Sequence, residues 1–136
     1  MNANRILVVD DDPRITGLLR VILEKSGNYE VREENRSFAA LASAREFRPH
    51  LIVMDVDMPG KTGGDVAREV AQDPVVGATP VVFLTSLVSA AETGGEAIMR
   101  RGVPFLAKPV DPKALLRTVE TLITVRAAET PTHGRQ

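Results

Sequence analysis

Four apolar runs in this 136-residue chain end at side chains that could bind a cation or a phosphoryl group. In chain order these ends are Asp10, Asp11 and Asp12, then Asp55, Thr85 and Lys108. Two carboxylates about 4 Å apart repel by roughly 4 kcal/mol at an effective dielectric constant near 20. A hard divalent cation relieves this repulsion, and oxygen ligands favour Mg²⁺, which often shares a phosphate. These residue types therefore predict a magnesium site with a hydroxyl and an ammonium nearby.

The runs themselves have the composition of strands that are buried on both faces of a parallel sheet. They cover residues 6–9, 51–54, 80–84 and 104–107. A more polar run, residues 29–34, predicts a short edge strand. The chemically active side chains would then all lie at the carboxyl ends of strands, where sheets of this kind bind ligands.

Helical patterns separate the strands. Asp12 and Pro13 predict an N-cap followed by proline at the first helical position, and Gly27 predicts the end of that helix. The other predicted helices cover residues 37–47, 65–72, a short core at 97–101, and a last helix that begins at Asp111-Pro112. Five strands alternating with five helices predict a doubly wound α/β fold, with a five-stranded parallel sheet flanked by five helices.

Composition narrows the function classes. The chain has no cysteine, which excludes disulfides and thiolate metal sites and favours an intracellular setting. Its net charge of −1 gives no long-range attraction to nucleic acid or to an anionic membrane. There is no secretory signal pattern and no apolar run long enough to span a bilayer. We therefore expect a cytoplasmic protein without direct nucleic-acid or membrane contact.

Five segments together carry a resemblance to a known family. They are residues 6–13, 51–55, 58–60, 83–86 and 105–109. In this order and at these spacings they resemble the response-regulator receiver domains of two-component signalling, such as the chemotaxis regulators. The resemblance covers residues 4–126. It implies a (βα)5 flavodoxin-like fold, a receiver domain over residues 1–126, and a flexible C-terminal tail over residues 127–136.

The resemblance implies a role for each acidic residue of the set. Asp55 would be the phosphoacceptor. Asp11 and Asp55 would bind Mg²⁺ directly together with the backbone carbonyl of Asp57, and Asp10 would act through a metal-bound water. Asp12 is expected mainly to cap the first helix. Asp57 remains a less favoured alternative acceptor, because it lies two residues beyond Asp55.

The remaining roles concern the phosphoryl group and its readout. Lys108 would pair with Asp55 and then with a phosphoryl oxygen, and Thr85 would hydrogen-bond another. Thr85 and Phe105 would form the switch. The family commonly has tyrosine at the position of Phe105, so any rearrangement here must be reported through packing alone. Lys108-Pro109 is a candidate cis peptide.

The implied function is a phosphorylation-activated switch rather than an enzyme, with only self-limited phosphotransfer and autodephosphorylation. A sensor histidine kinase or a histidine phosphotransfer protein would donate the phosphoryl group. A downstream protein would bind the face formed by the fourth predicted helix, fifth strand and fifth helix. Homodimerisation is an open alternative. Thr93-Gly94-Gly95 departs from the family pattern, and it predicts a shortened or mobile fourth helix.

Two other functions stay open at this level. A phosphorylation-independent interaction module of receiver shape would have the same fold, although such domains usually lack part of the acidic site. A phosphohydrolase of the haloacid-dehalogenase type would use Asp55 and Asp57 as nucleophile and acid/base. That alternative is weakened because the pair does not follow the first strand, and because the chain is too short for a cap domain.

Overall fold

The computed structural model describes residues 3–87 and 97–129, and within these ranges six strands form one sheet with four helices packed against it. The strands are β1 (Asn4–Val9), β2 (Tyr29–Glu34), β3 (Leu51–Asp55), β4 (Val81–Thr85), β5 (Ile98–Arg100) and β6 (Val103–Ala107). The helices are α1 (Pro13–Lys25), α2 (Ala40–Phe47), α3 (Gly63–Gln72) and α4 (Pro112–Glu129), with a short 3₁₀ turn (Ser37–Ala39) before α2.

The strand order is β2-β1-β3-β4-β6-β5, and all neighbouring pairs except β5 and β6 are parallel. Chain order reverses between β1 and β3, which is the topological switch point of a doubly wound sheet. Val9 is paired with Met54, so the residues that follow them, Asp10 and Asp55, lie side by side at the switch point. The predicted flavodoxin-like fold is confirmed.

Side-chain alternation along the strands divides the core into two layers. Ile6 and Val8 of β1 face a cluster that includes α1 and α4, whereas Leu7 and Val9 face a cluster that includes α2 and α3. All four side chains are almost fully buried. Burial of a side chain of this size contributes about 1.5–3 kcal/mol, so the two layers fix both the strand register and the helix positions.

Local signals set the helix boundaries. Asp12 caps α1, because its Oδ1 accepts the backbone N–H of Arg14 at 2.9 Å, and Gly27 follows the helix with φ at +86°. Helix α3 begins two residues before its predicted start. Thr62 and Asp65 form a reciprocal capping box that brings Gly63 and Gly64 into the first turn.

The prediction that residues 97–101 form the core of a short helix is wrong. Ile98–Arg100 is strand β5, which pairs antiparallel with β6. The two strands are joined by Arg101 and Gly102, whose φ angles are +53° and +79°. Positive φ at both central residues is the geometry of a two-residue hairpin turn, which a helix cannot contain. The sheet therefore has a sixth strand that the sequence did not predict.

Two other predictions fall partly on undescribed residues. The rest of the predicted fourth helix, including Thr93-Gly94-Gly95, lies outside the described residues. Helix α4 continues to Glu129, three residues into the predicted tail, and residues 130–136 lie outside the description. Among the described helices, none combines the length and the apolar composition needed to cross a bilayer.

At the edge of the sheet opposite the acidic residues, β1 and β3 are tied by a histidine. The His50 side-chain atom Nδ1 accepts the backbone N–H of Arg5 at 2.8 Å. The backbone N–H of His50 in turn donates to the Arg5 carbonyl at 2.7 Å. The Arg5 side chain donates to the Phe47 and Arg48 carbonyls at the end of α2. Burial lowers the pKa of His50 below its ordinary value, and the nearby Arg5 and Arg126 lower it further.

This contact predicts a dependence of stability on pH. Because the pKa of His50 is lower in the folded state, the unfolded chain binds the proton more readily. The stability that neutral His50 contributes is therefore fully present above the ordinary histidine pKa of about 6.5. It is lost as the pH falls below that value, with a slope of at most about 1.4 kcal/mol per pH unit. Urea unfolding between about pH 8 and pH 5 measures this slope.

The matched variant for this experiment is His50→Asn, since the asparagine Oδ1 can still accept from Arg5 but does not titrate. We expect the slope near pH 6 to be smaller in His50→Asn. An equal slope in wild type and His50→Asn would contradict the prediction.

Candidate functional site

Four strands bring the predicted site residues together at the carboxyl edge of the sheet. Asp10 follows β1, Asp55 ends β3, Thr85 ends β4 and Lys108 follows β6. Lys108 Nζ lies 3.0 Å from Asp55 Oδ1 and 3.1 Å from Asp10 Oδ2. Asp10 and Asp55 are 1% and 3% exposed. A partly exposed lysine thus bridges two buried carboxylates from neighbouring strands.

Asp10, Asp11 and Asp55 each contribute one carboxylate oxygen to a group whose members all lie within 4.8 Å of one another. Among the described residues this is the acidic group that could hold a metal ion. Asp11 is exposed, so the group opens to solvent on one side. The Lys108 contact to Asp10 Oδ2 is an ion pair without hydrogen-bond geometry, and this oxygen is buried without a hydrogen bond from the described residues. Three carboxylates with an unsatisfied oxygen fit a hard divalent cation.

The electrostatics of the pair reflect both burial and neighbouring charge. Burial raises the pKa of Asp10, and the negative charge of Asp55 acts in the same direction. The Asp12 N–H and Lys108 oppose this rise without cancelling it. Burial alone would lower the pKa of Lys108, but its contacts with Asp55 and Asp10 outweigh burial and raise it. The lysine is therefore held in its charged form by the two carboxylates.

The carboxylates of the two other aspartates of the region, Asp12 and Asp57, are not part of this group. Asp12 serves α1 as the N-cap and pairs with Arg14, whose guanidinium lowers the pKa of the Asp12 carboxyl. Asp57 is exposed, and its backbone N–H donates to Asp55 Oδ1 at 3.3 Å. Its backbone N–H therefore lies beside Asp55, and the role of its carbonyl as a metal ligand stays a prediction.

The loop after β3 is held against Asp55 by a close approach. The Gly63 N–H donates to the Val56 carbonyl at 3.0 Å. A Cβ atom at Gly63 would overlap the backbone oxygen of Asp55 and would lie 3.0 Å from Val56 Cα. Only glycine allows this contact, so the start of α3 is packed directly against the backbone of the central aspartate.

Thr85 and Phe105 lie on the other side of Asp55. The Lys108 N–H donates to the Thr85 carbonyl at 2.9 Å, and the Thr85 hydroxyl accepts from the Leu87 N–H at 3.1 Å. Phe105 is half-buried and stacks on Phe83, with ring centroids 5.2 Å apart. A cavity of about 80 Å³ lies between Thr85 and Phe105. The peptide bond between Lys108 and Pro109 is cis.

The second strand, for whose end no site residue was predicted, is followed by Asn35. Its Nδ2 donates to the Asp10 carbonyl at 2.8 Å and to the Thr16 hydroxyl at 2.9 Å. A neutral amide after a polar strand carries no pattern that marks it. Only the parallel register of β1 and β2 brings it behind the acidic group.

Comparison with known proteins identifies the class. The model of the response regulator receiver domain family matches residues 6–120, so the chain belongs to this family. It is 35% identical to PilH of Pseudomonas aeruginosa over 120 residues, which are 88% of this chain and 97% of PilH. It is 34% identical to the transcriptional regulatory protein ResD of Bacillus subtilis over 134 residues, 95% of this chain and 51% of ResD. The chain thus spans about half the length of ResD.

Solved structures agree with the assignment. The chemotaxis protein CheY4 of Vibrio cholerae has a TM-score of 0.74 and 28% identity, with 89% of this chain and 99% of CheY4 covered. A second match is the receiver domain of the sensor histidine kinase PA1611 of Pseudomonas aeruginosa, with a TM-score of 0.74 and 26% identity over 90% of this chain and 99% of that domain. That domain was crystallised with a magnesium ion in its active-site cleft. The protein is a receiver domain of two-component signalling, and such domains are signalling domains rather than enzymes.

Proposed function

We propose that this receiver domain is switched by phosphorylation of Asp55 in the presence of Mg²⁺. The observation that carries the proposal is the convergence of Asp10, Asp11, Asp55 and Lys108 at the switch point of the sheet. A sensor histidine kinase or a histidine phosphotransfer protein would be the donor, and the domain would work in the cytoplasm. The match to a kinase's own receiver domain supports this donor class.

Each residue of the site has a defined task in this proposal. An Asp55 oxygen forms a bond to phosphorus while the bond between phosphorus and the donor's imidazole nitrogen breaks. Lys108, which already contacts Asp55, neutralises negative charge on the transferred group. Catalysis of phosphoryl transfer consists mostly of positioning the reactants and stabilising charge. These contacts therefore supply what the transfer requires of the protein.

Asp11 and Asp55 would hold the metal ion, with the Asp57 backbone carbonyl as a further ligand and Asp10 acting through water. When bound, Mg²⁺ would offset the charge of the carboxylates and of the phosphoryl oxygens. The buried Asp10 Oδ2, which has no hydrogen bond from the described residues, could accept one from a metal-bound water.

The switch is proposed to run through Thr85 and Phe105. A phosphoryl oxygen on Asp55 would attract the Thr85 hydroxyl, which now accepts from Leu87. The cavity of about 80 Å³ between Thr85 and Phe105 leaves room for the ring to follow. The face near β6 and α4 would then change its affinity for a protein partner, as a shift between two populations of the domain. With a net charge of −1, we propose no direct nucleic-acid contact for this chain.

Phosphoryl labelling tests the proposed function. We expect acetyl phosphate to add one phosphoryl group to the wild-type chain with Mg²⁺, and none after the metal is removed with EDTA. Intact-mass spectrometry detects the product.

We also expect Mg²⁺ to raise the thermal unfolding midpoint, because it binds the folded state. A Mg²⁺ concentration of 100 times the dissociation constant adds about 2.7 kcal/mol to the free energy of unfolding.

The control for metal binding is Asp11→Asn, an exposed change that should remove the Mg²⁺-dependent rise with little effect in EDTA. If the wild type binds neither Mg²⁺ nor a beryllofluoride phosphoryl mimic, the proposal is wrong. The chain would then be the phosphorylation-independent interaction module that the sequence left open.

A further inference from the structure

A chain of partly buried hydrogen bonds lies behind the acidic group and takes no part in the proposed transfer. Asn35 Nδ2 donates one proton to the Asp10 carbonyl and the other to the Thr16 hydroxyl. The Thr16 hydroxyl lies 2.7 Å from Glu33 Oε1, to which it can donate. Glu33 Oε2 is paired with Arg20 on the exposed side of α1 at 3.4 Å.

The direction of these bonds is fixed by their chemistry. The Asp10 carbonyl and the Glu33 carboxylate can only accept, so the Asn35 amide must turn its NH₂ toward Asp10 and the Thr16 proton must face an acceptor. Thr16 is 0% exposed, and an unpaired hydroxyl at such a position would cost about 1–3 kcal/mol. The Thr16 hydroxyl accepts from Asn35 and has two acceptors within reach of its single proton, Glu33 Oε1 at 2.7 Å and the Pro13 carbonyl at 3.2 Å.

The backbone that this network holds carries Asp11, a proposed magnesium ligand, and Asp10, which would act through a metal-bound water. The Asp10 N–H donates to the Glu34 carbonyl at 3.2 Å, and Asn35 holds the Asp10 carbonyl. Asp10 Oδ1 in turn accepts the Asp12 N–H at 2.9 Å. Both backbone groups of Asp10 are therefore anchored to the end of β2. Asp10 and Asp11 have little freedom to separate in response to their mutual repulsion.

We infer that Asn35 and Thr16 are positioning residues that set the Mg²⁺ affinity of the acidic group. The inference rests on the proposed function for the site itself and adds the residues that hold its geometry. Partners that orient metal ligands from outside typically contribute 10–100-fold to metal affinity. Neither residue was predicted from the sequence as part of the site.

The test compares variants that differ in a single hydroxyl. Thr16→Val removes the hydroxyl and keeps the shape, whereas Thr16→Ser keeps the hydroxyl. Ser43→Ala is the matched control, because the Ser43 hydroxyl donates to the Glu34 side chain, whereas the Asp10 N–H donates to the backbone carbonyl of Glu34, which the substitution leaves in place. Asn35→Ala removes the amide. Mg²⁺ alone is titrated into each full chain by calorimetry, and unfolding in EDTA is measured separately.

We expect Thr16→Val and Asn35→Ala to bind Mg²⁺ about tenfold more weakly, with Thr16→Ser and Ser43→Ala close to wild type. Acetyl phosphate labelling should need correspondingly more Mg²⁺ to reach half its maximum while the maximum is retained. Unchanged Mg²⁺ affinity in Thr16→Val and Asn35→Ala, with a loss of stability in EDTA only, would overturn the inference. So would equal weakening in Thr16→Ser.

Asn35 is partly exposed and lies beyond the end of β2, so Asn35→Ala decides the question even if Thr16→Val does not fold. Failure of the proposed function has a different signature. In that case the wild type itself shows no Mg²⁺ binding, whereas failure of the positioning role leaves wild-type and variant affinities equal and measurable.

Discussion

Asp55→Asn is expected to abolish phosphoryl incorporation from acetyl phosphate. The substitution keeps the shape of a side chain that is 3% exposed, but the amide lacks the nucleophilic oxygen pair of a carboxylate. It also removes one of the two negative charges that Lys108 contacts. Intact-mass spectrometry after incubation with Mg²⁺ and acetyl phosphate measures the loss directly.

The matched control is Asp57→Asn, two residues further along the chain. Asp57 is exposed and offers its backbone N–H to Asp55, which the substitution leaves in place. We expect Asp57→Asn to retain labelling. Loss of labelling in Asp57→Asn together with full labelling in Asp55→Asn would identify Asp57 as the acceptor and would refute the assignment.

Gly63→Ala is expected to destabilise the fold by about 3 kcal/mol, the upper part of the range for overpacking a tight interior. The new Cβ would overlap the backbone oxygen of Asp55, which belongs to the central strand β3 and cannot shift without moving the acidic group. We therefore also expect weaker Mg²⁺ binding. Urea unfolding in EDTA measures the first effect, and calorimetry measures the second.

Gly64→Ala provides the control within the same helical turn. A Cβ at Gly64 would lie 3.7 Å from Thr62 Oγ1, an ordinary contact. Replacing a glycine with alanine in a compatible helical position stabilises a protein by about 0.4–1 kcal/mol. Opposite signs for the two variants are therefore expected. Equal effects would mean that helix propensity, and not the contact with Asp55, decides the outcome at Gly63.

The sequence was most informative where residue type and strand position agreed. Apolar runs of four or five residues predicted the buried parallel strands, and the types of Asp10, Asp55 and Lys108 at their ends predicted a charged site. Asp12 and Gly27 predicted both boundaries of α1 because capping depends on local chemistry. These features need no knowledge of distant contacts, so one sequence is enough to predict them.

Strand β5 shows where this kind of prediction fails. Ala97, Ile98 and Met99 form an apolar run too short to distinguish a helix from a strand by its period. The deciding feature is the turn, in which Arg101 adopts a positive φ that is uncommon for arginine. The pairing with β6 imposes that conformation, and pairing is a tertiary property.

Gly63 and Asn35 were missed for a related reason. A glycine in a loop predicts a turn, but it does not show that the backbone of Asp55 lies against it. Asn35 has an unremarkable sequence context, and its contact with Asp10 depends on the register of β1 against β2. Both residues act through backbone atoms of the acidic residues, and side-chain patterns carry no information about such contacts.

The β5–β6 hairpin also has a consequence for how the chain folds. Its strands are joined by two residues, so the loop-closure entropy lost on pairing them is small. By contrast, Ile6 and Leu51 pair although α1, β2 and α2 separate them in the sequence. Pairings between residues so distant in sequence slow folding. We therefore expect β6 to join β4 as part of a hairpin that is already formed. Because Lys108 directly follows β6, it then reaches Asp10 and Asp55 when the formed β5–β6 hairpin docks onto β4.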